Sequence, residues 1–194
     1  MSACAQISAM LQPHPDTPCP VVESIRTALS WTPSGVLTVN YSLSGAVDQL
    51  LIPAHRLAHE SDNLWRHTCF ELFVGAQNDA EYYEFNFSPS GQWAVYGFRD
   101  YRDGGPFTSS VEPEIVVQRD ARTLKLTAMV RLDCLPGIQS DIRLWVGLSA
   151  VVEDLNDSLS YWALKHPPGK PDFHHSDNFA LQIEPTVVDG ATID

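Results

Sequence analysis

Basic residues are scarce in this chain: 12 Lys and Arg stand against 24 Asp and Glu over 194 residues, a formal net charge of -12. Such a polypeptide repels a phosphate backbone, and no local block of Lys or Arg offsets the repulsion, so nucleic acid is not an expected partner. Long apolar runs are missing too. No stretch approaches the roughly 20 residues that span a bilayer as a helix, so a membrane location is not expected. The opening segment "MSACAQISAMLQPHPDTPCP" lacks the basic and continuous apolar regions of a secretory signal. Cysteine is confined to Cys4, Cys19, Cys69 and Cys134, widely spaced and without a C-x-x-C pair. Reduced thiols in a cytoplasmic protein are the simplest account. There is no P-loop, no Rossmann glycine pattern and no G-x-S-x-G elbow, hence no visible cradle for a nucleotide and no sign of a serine nucleophile.

What is present is globular: 44% hydrophobic and 10% aromatic residues, with 14 prolines and 11 glycines spread along the chain. Residues 1–20 read as a poorly ordered leader because of "QPHPDTPCP", leaving 21–194 as a single domain. From there the dominant period is two. "VLTVNYSL" alternates Leu37, Val39, Tyr41 and Leu43 with more polar neighbours, and "VDQLLIP" reads as the next strand. "RHTCFELFV", "YYEFNF", "WAVYGF", "EIVVQ", "TLKLTAMVRL", "IRLWVGLSAVV", "LSYWAL" and "FALQIE" continue the series, with no convincing long helix. Many short antiparallel strands joined by polar turns predict an all-β fold, an antiparallel β-sandwich or jelly roll of about 9–11 strands.

Three segments carry more polar and aromatic residues than turns require. In "LWRHTCFELF" a continuous strand would put Trp65, His67, Cys69 and Glu71 on the face opposite Phe70, Leu72 and Val74. In the hairpin "YYEFNFSPSGQW", Tyr83, Phe85 and Phe87 alternate with Glu84 and Asn86. The third segment, "YWALKHPPGKPDFHHSDNF", gathers Lys165, His166, Asp172, His174 and His175 into a proline-rich loop. If the first two segments are neighbouring strands, Glu71 and Glu84 lie side by side, fit for acid–base chemistry, for accepting hydrogen bonds, or simply for facing water. The place of Trp93 depends on the turn. A two-residue loop, the preferred reading, sets it across from Asn86 on the polar face; a three-residue loop slips the register and sets it across from Phe87 in the core. The histidines make no metal signature: His55 and His59 are four apart but lack the zinc-protease Glu, and adjacent His174 and His175 tend to point apart. No EF-hand pattern accompanies the acidic loops.

The segments "LWRHTCFELFV", "EYYEFNFSPSGQWAVYGF" and "YWALKHPPGKPDFHHSDNFAL" together resemble the DOMON-like domains related to family 9 carbohydrate-binding modules, in particular a small bacterial DOMON-like subgroup. The resemblance covers residues 30–184. It implies an antiparallel sandwich with a ligand site on one sheet and its loops, for a sugar or for haem. For a sugar it points to Trp65, Arg66, His67, Glu71, Glu84, Asn86 and Trp93, with Lys165 and His174 from the loop. For haem it points to Met129, on the polar side of its strand, paired with a histidine. The expected function is therefore non-catalytic binding of a saccharide or related polar cell-wall-type ligand, with no cofactor required. The alternatives are a haem-binding redox domain, a calcium site, or a glycoside-active enzyme using Glu71 and Glu84.

Overall fold

The computed structural model describes residues 6–184 apart from 33, 78, 109–111, 140 and 141. It is all-β, with twelve antiparallel strands among the described residues: β1 (Gln6–Pro13), β2 (Val22–Trp31), β3 (Val36–Gly45), β4 (Cys69–Ala76), β5 (Tyr82–Phe87), β6 (Trp93–Asp100), β7 (Asp103–Pro106), β8 (Glu114–Arg119), β9 (Thr123–Arg131), β10 (Leu144–Glu153), β11 (Leu159–Ala163) and β12 (Leu181–Ile183). They build two sheets. One runs β1-β2-β3-β9-β8; the other runs β7-β6-β5-β4-β10-β11, with β12 beside the far end of β10. No helix among the described residues is long and apolar enough to cross a membrane.

The core lies between the sheets, and the period-two pattern explains it. Leu37, Val39, Tyr41 and Leu43 from β3, with Leu124, Leu126, Ala128 and Val130 from β9, meet Phe70, Leu72 and Val74 from β4 and Phe85 and Phe87 from β5. A polar bond crosses this apolar layer, where the buried Tyr41 hydroxyl donates to the Glu71 carbonyl at 2.7 Å. That bond ties β4, and with it the Glu71 side chain on the opposite face, to the far sheet.

Three sequence expectations fail here. Gln6–Pro13 is not a loose leader. Residues 6–11 pair along β2, and Gln12 and Pro13 cross to β11, so β1 belongs to both sheets; residues 1–5 of that expected leader lie outside the described residues. "VDQLLIP" is a 3-10 turn at Val47–Gln49 followed by irregular chain, not a strand. Two strands, β2 and β7, escaped the period-two reading. In β2 the inward position Thr27 is polar and bonds the Ala9 carbonyl at 3.3 Å, which blurs the alternation.

The outer face of the second sheet is not left to water. The segment between β11 and β12 folds back across it, and Phe173 packs there with Phe73, Tyr82, Val151 and Ala163 in a second, smaller apolar cluster. Gly147 makes room for this return. A Cβ there would lie 2.9 Å from Asn178 Nδ2, which itself donates to the Phe173 carbonyl at 3.0 Å.

Candidate functional site

The hairpin register decides what faces this outer surface. Glu71 pairs with Asn86 and Phe73 with Glu84 across β4 and β5, so Glu71 and Glu84 are diagonal neighbours on one face. Ser149 of β10 sits across from Glu71 on the other side. All of these are buried: Glu71 is 3% exposed, Glu84 6%, and Asn86 and Ser149 fully enclosed. Ser149 Oγ donates to Glu71 Oε2 at 3.2 Å, and Asn86 Nδ2 donates to Glu84 Oε1 at 2.6 Å. Beneath them the Cys69 thiol contacts Asn86 Oδ1 at 3.4 Å.

Above this polar floor lies a cavity of about 490 Å³. Trp65, Tyr96, Phe98, Tyr161 and Phe173 wall it, with Asp62, Arg102 and His174 as the polar members of the rim. The rim is held by paired groups. Tyr96 donates to Asp62, and the Arg102 guanidinium meets Asp172 at 2.8 Å while the Tyr101 hydroxyl donates to the same carboxylate at 2.5 Å. Arg102 sits in the left-handed region (φ 56°), and its backbone N–H donates to the Tyr82 hydroxyl at 3.2 Å.

His174 is the partition between this cavity and a neighbouring one of about 540 Å³ that reaches Trp145 and Tyr101. Its ring is enclosed by Phe73, Tyr82 and Phe98, at centroid distances of 5.2, 5.9 and 4.9 Å. The Tyr82 hydroxyl, which accepts from the Arg102 backbone N–H, is hydrogen-bonded to His174 Nδ1 at 2.9 Å. Nε2 of the same ring lies 3.5 Å from Glu84 Oε2.

Burial sets the protonation of the floor. It pushes Glu71 well above the carboxylate range, and the nearby Glu84 charge adds to this against Ser149 and Arg102. Burial likewise lifts Glu84 to about 7, opposed by the Asn86 hydrogen bond and Arg102. For His174 the same burial acts in the opposite sense and lowers it to about 4, with Arg102 adding to the fall. Asp62 at the rim is held below its ordinary range by the Tyr96 hydroxyl. At pH 7 the Glu71 carboxyl is therefore held toward its neutral form, His174 is uncharged, and Glu84 stands close to half ionised.

The structure sorts the residues singled out by sequence. Glu71, Glu84, Asn86, Trp65 and His174 come together at the cavity. Trp65 and Arg66 belong to a 3-10 turn at Leu64–Arg66, not to the strand, because β4 begins only at Cys69. Arg66 stacks over Trp65 at 5.2 Å from the ring centroid, outside the cavity lining. His67 turns away to Glu153, at 2.8 Å. Lys165 is exposed and lines neither cavity.

Trp93 is a correction. It pairs with Phe87 and is 3% exposed in the core, because Ser88 and Gln92 close a three-residue loop with Gly91 at φ 91°. Met129 lies on the outer face of the other sheet, paired with Thr38 and Glu114. Among the described residues, no group of three or more His, Cys, Asp and Glu is placed to hold a metal ion.

Asp172 was marked only as one of the polar residues of the proline-rich loop, and Arg102, Tyr161 and Phe173 were missed as site residues. The aromatic content of that loop pointed toward Phe173, and nothing local marks Arg102.

No protein-family model matches the chain, and no curated protein matches it. Solved structures do. A candidate carbohydrate-binding protein from Bacteroides uniformis ATCC 8492 superposes with a TM-score of 0.68 at 14% identity, over 90% of this chain and 84% of its own. A family 9 carbohydrate-binding module from Caldicellulosiruptor kristjanssonii, in complex with glucose, aligns with a TM-score of 0.45 at 10% identity, over 82% of this chain and 76% of its own. The first likeness is one of fold.

Proposed function

We propose that this chain is a non-catalytic binding module of the DOMON-like kind that takes a saccharide, or a related polar cell-wall-type ligand, in the cavity on the outer face of its second sheet. The observation that supports it is the meeting of aromatic faces with polar groups at one concavity. Trp65, 45% exposed at the rim, and the Tyr96 and Tyr161 rings offer apolar surface to a sugar ring. Glu71, Glu84, Asp62 and Arg102 offer donors and acceptors to its hydroxyls. The candidate carbohydrate-binding protein from Bacteroides uniformis, similar in fold, agrees with this reading.

The test is thermal unfolding with a panel of mono- and disaccharides. A ligand present at tenfold its Kd adds roughly 1.4 kcal/mol, or about 3–5 °C for a domain of this size. Trp65→Ala should abolish the shift without lowering the Tm of the free protein. Absence of any shift across the panel with each sugar at millimolar concentration would overturn the proposal.

A glycosidase reading has one observation in its favour, the common face of Glu71 and Glu84. Such a mechanism needs one carboxylate ionised while the other donates a proton. Burial holds Glu71 toward the neutral form and leaves Glu84 near half ionised at pH 7, a division of protonation that such a mechanism could use; what favours binding is the aromatic lining of the cavity. Turnover of aryl glycosides lost in Glu84→Gln would reverse that preference.

A further inference from the structure

The floor of the cavity holds two carboxyl groups that the protein itself leaves without a cation. Glu71 is 97% buried, and its one described donor is the neutral Ser149 hydroxyl, on Oε2; among the described residues none donates to Oε1. Its small exposed remainder faces the cavity it lines. Glu84 receives the Asn86 amide and faces the His174 ring, both neutral. Arg102 is the cationic side chain among the described lining residues, and Asp172 holds it at 2.8 Å. A third carboxylate, Asp62, stands at the rim, and five aromatic rings complete the enclosure.

We infer that the ligand carries an ammonium group, and that the cavity takes an amino sugar with its charged nitrogen seated over Glu71 and Glu84. The inference rests on the saccharide reading above and names its substrate class. An ammonium is the chemical complement of this floor. It presents three N–H donors to carboxylate oxygens that now share few, and its charge satisfies both groups when they ionise. Aromatic faces around it add attraction through their quadrupoles. A neutral sugar would leave the two acids as they are, while an anionic sugar would meet three carboxyl groups against one already neutralised Arg. The groups facing Glu71 and Glu84 from the packed elements are Ser149, Asn86, Cys69, His174, Tyr161 and Arg102, and none of them supplies a free positive charge.

The experiment is isothermal titration of the full chain at pH 6, where the sugar amine is charged, with glucosamine and galactosamine beside glucose, galactose and their N-acetylated forms. One amino sugar should bind at least tenfold tighter than its neutral and N-acetylated counterparts. Its binding should release protons, seen as a dependence of the heat on the buffer's ionisation enthalpy. Glu71→Gln/Glu84→Gln should erase both the preference and the proton release, with an unchanged or raised Tm showing that the fold persists. Affinities for charged and neutral sugars within threefold of each other would overturn the inference and leave the saccharide reading standing. Binding of methylammonium with no sugar would retain the ammonium seat and overturn the saccharide reading. Binding by nothing in the set would overturn both.

Discussion

Replacing Glu84 by Gln should change the pH dependence of stability in a way that burial alone predicts. In the folded chain Glu84 holds its proton up to about 7, against 4.5 for an ordinary glutamate. Between those values the folded state keeps a proton that the unfolded state gives up. The contribution is therefore complete below pH 4.5 and is lost as pH rises through 7. At about 1.4 kcal/mol per pH unit the whole swing is roughly 3 kcal/mol, of which about 2.5 kcal/mol falls between pH 5 and pH 8.

Gln has no proton to lose, so the difference between variant and wild type removes the titrations that do not couple to Glu84; Glu71, which the Glu84 charge pushes up, moves with it. The isolation matters because His174 works the other way. Its stabilising effect is present above 6.5 and is lost as pH falls through about 4, opposing Glu84 over most of the same range. Urea unfolding of both proteins at pH 5 and pH 8 reads the result. The variant should gain about 2.5 kcal/mol on wild type between the two, close to 1 M in midpoint at an m-value of about 2 kcal/mol/M. A difference that stays constant within about 0.5 kcal/mol would refute the argument and return Glu84 to an ordinary, solvated carboxylate.

Other outcomes follow from the fold. Trp93→Ala should cost about 3–5 kcal/mol as a cavity in the core, whereas Trp65→Ala at the rim should stay within about 0.5 kcal/mol; the reverse order in chemical denaturation would place the hairpin in the other register. Gly91→Ala forces a side chain onto a φ of 91°, and should cost about 1–2 kcal/mol by the same assay. Removing residues 1–13 deletes the strand shared by both sheets, and should lower the Tm by well over 10 °C by calorimetry; a drop below 2 °C would mean that the sandwich closes without it.

The hairpin shows what the sequence discloses and where it stops. Alternation alone put Tyr83, Phe85 and Phe87 inside and Glu84 and Asn86 on the face shared with Glu71, and that is where they lie. Alternation could not fix Trp93, because register passes through the turn, although Gly91 is the residue a three-residue loop asks for. Trp65 and His67 went astray for a related reason: a period-two reading extends a strand until something stops it, and the stop here is a 3-10 turn with no proline. Arg102 was invisible because its role comes from Asp172, 70 residues later. β1 was hidden by the run of prolines that starts at its last residue, Pro13, and continues beyond it.

The sharing of β1 between the sheets also orders events in time. Gln12 finds its partner in Ala163, so β1 is fully seated only once the chain as far as β11 has been made. Contacts of such separation slow folding far more than they weaken the product. Until then β1 presents an open edge, a template for another copy of itself. The loop that roofs the cavity follows Ala163 directly. Closure of the sandwich and completion of the cavity thus fall in the same stretch of synthesis, and a chain interrupted before it would have both an unroofed cavity and an open strand edge prone to aggregate.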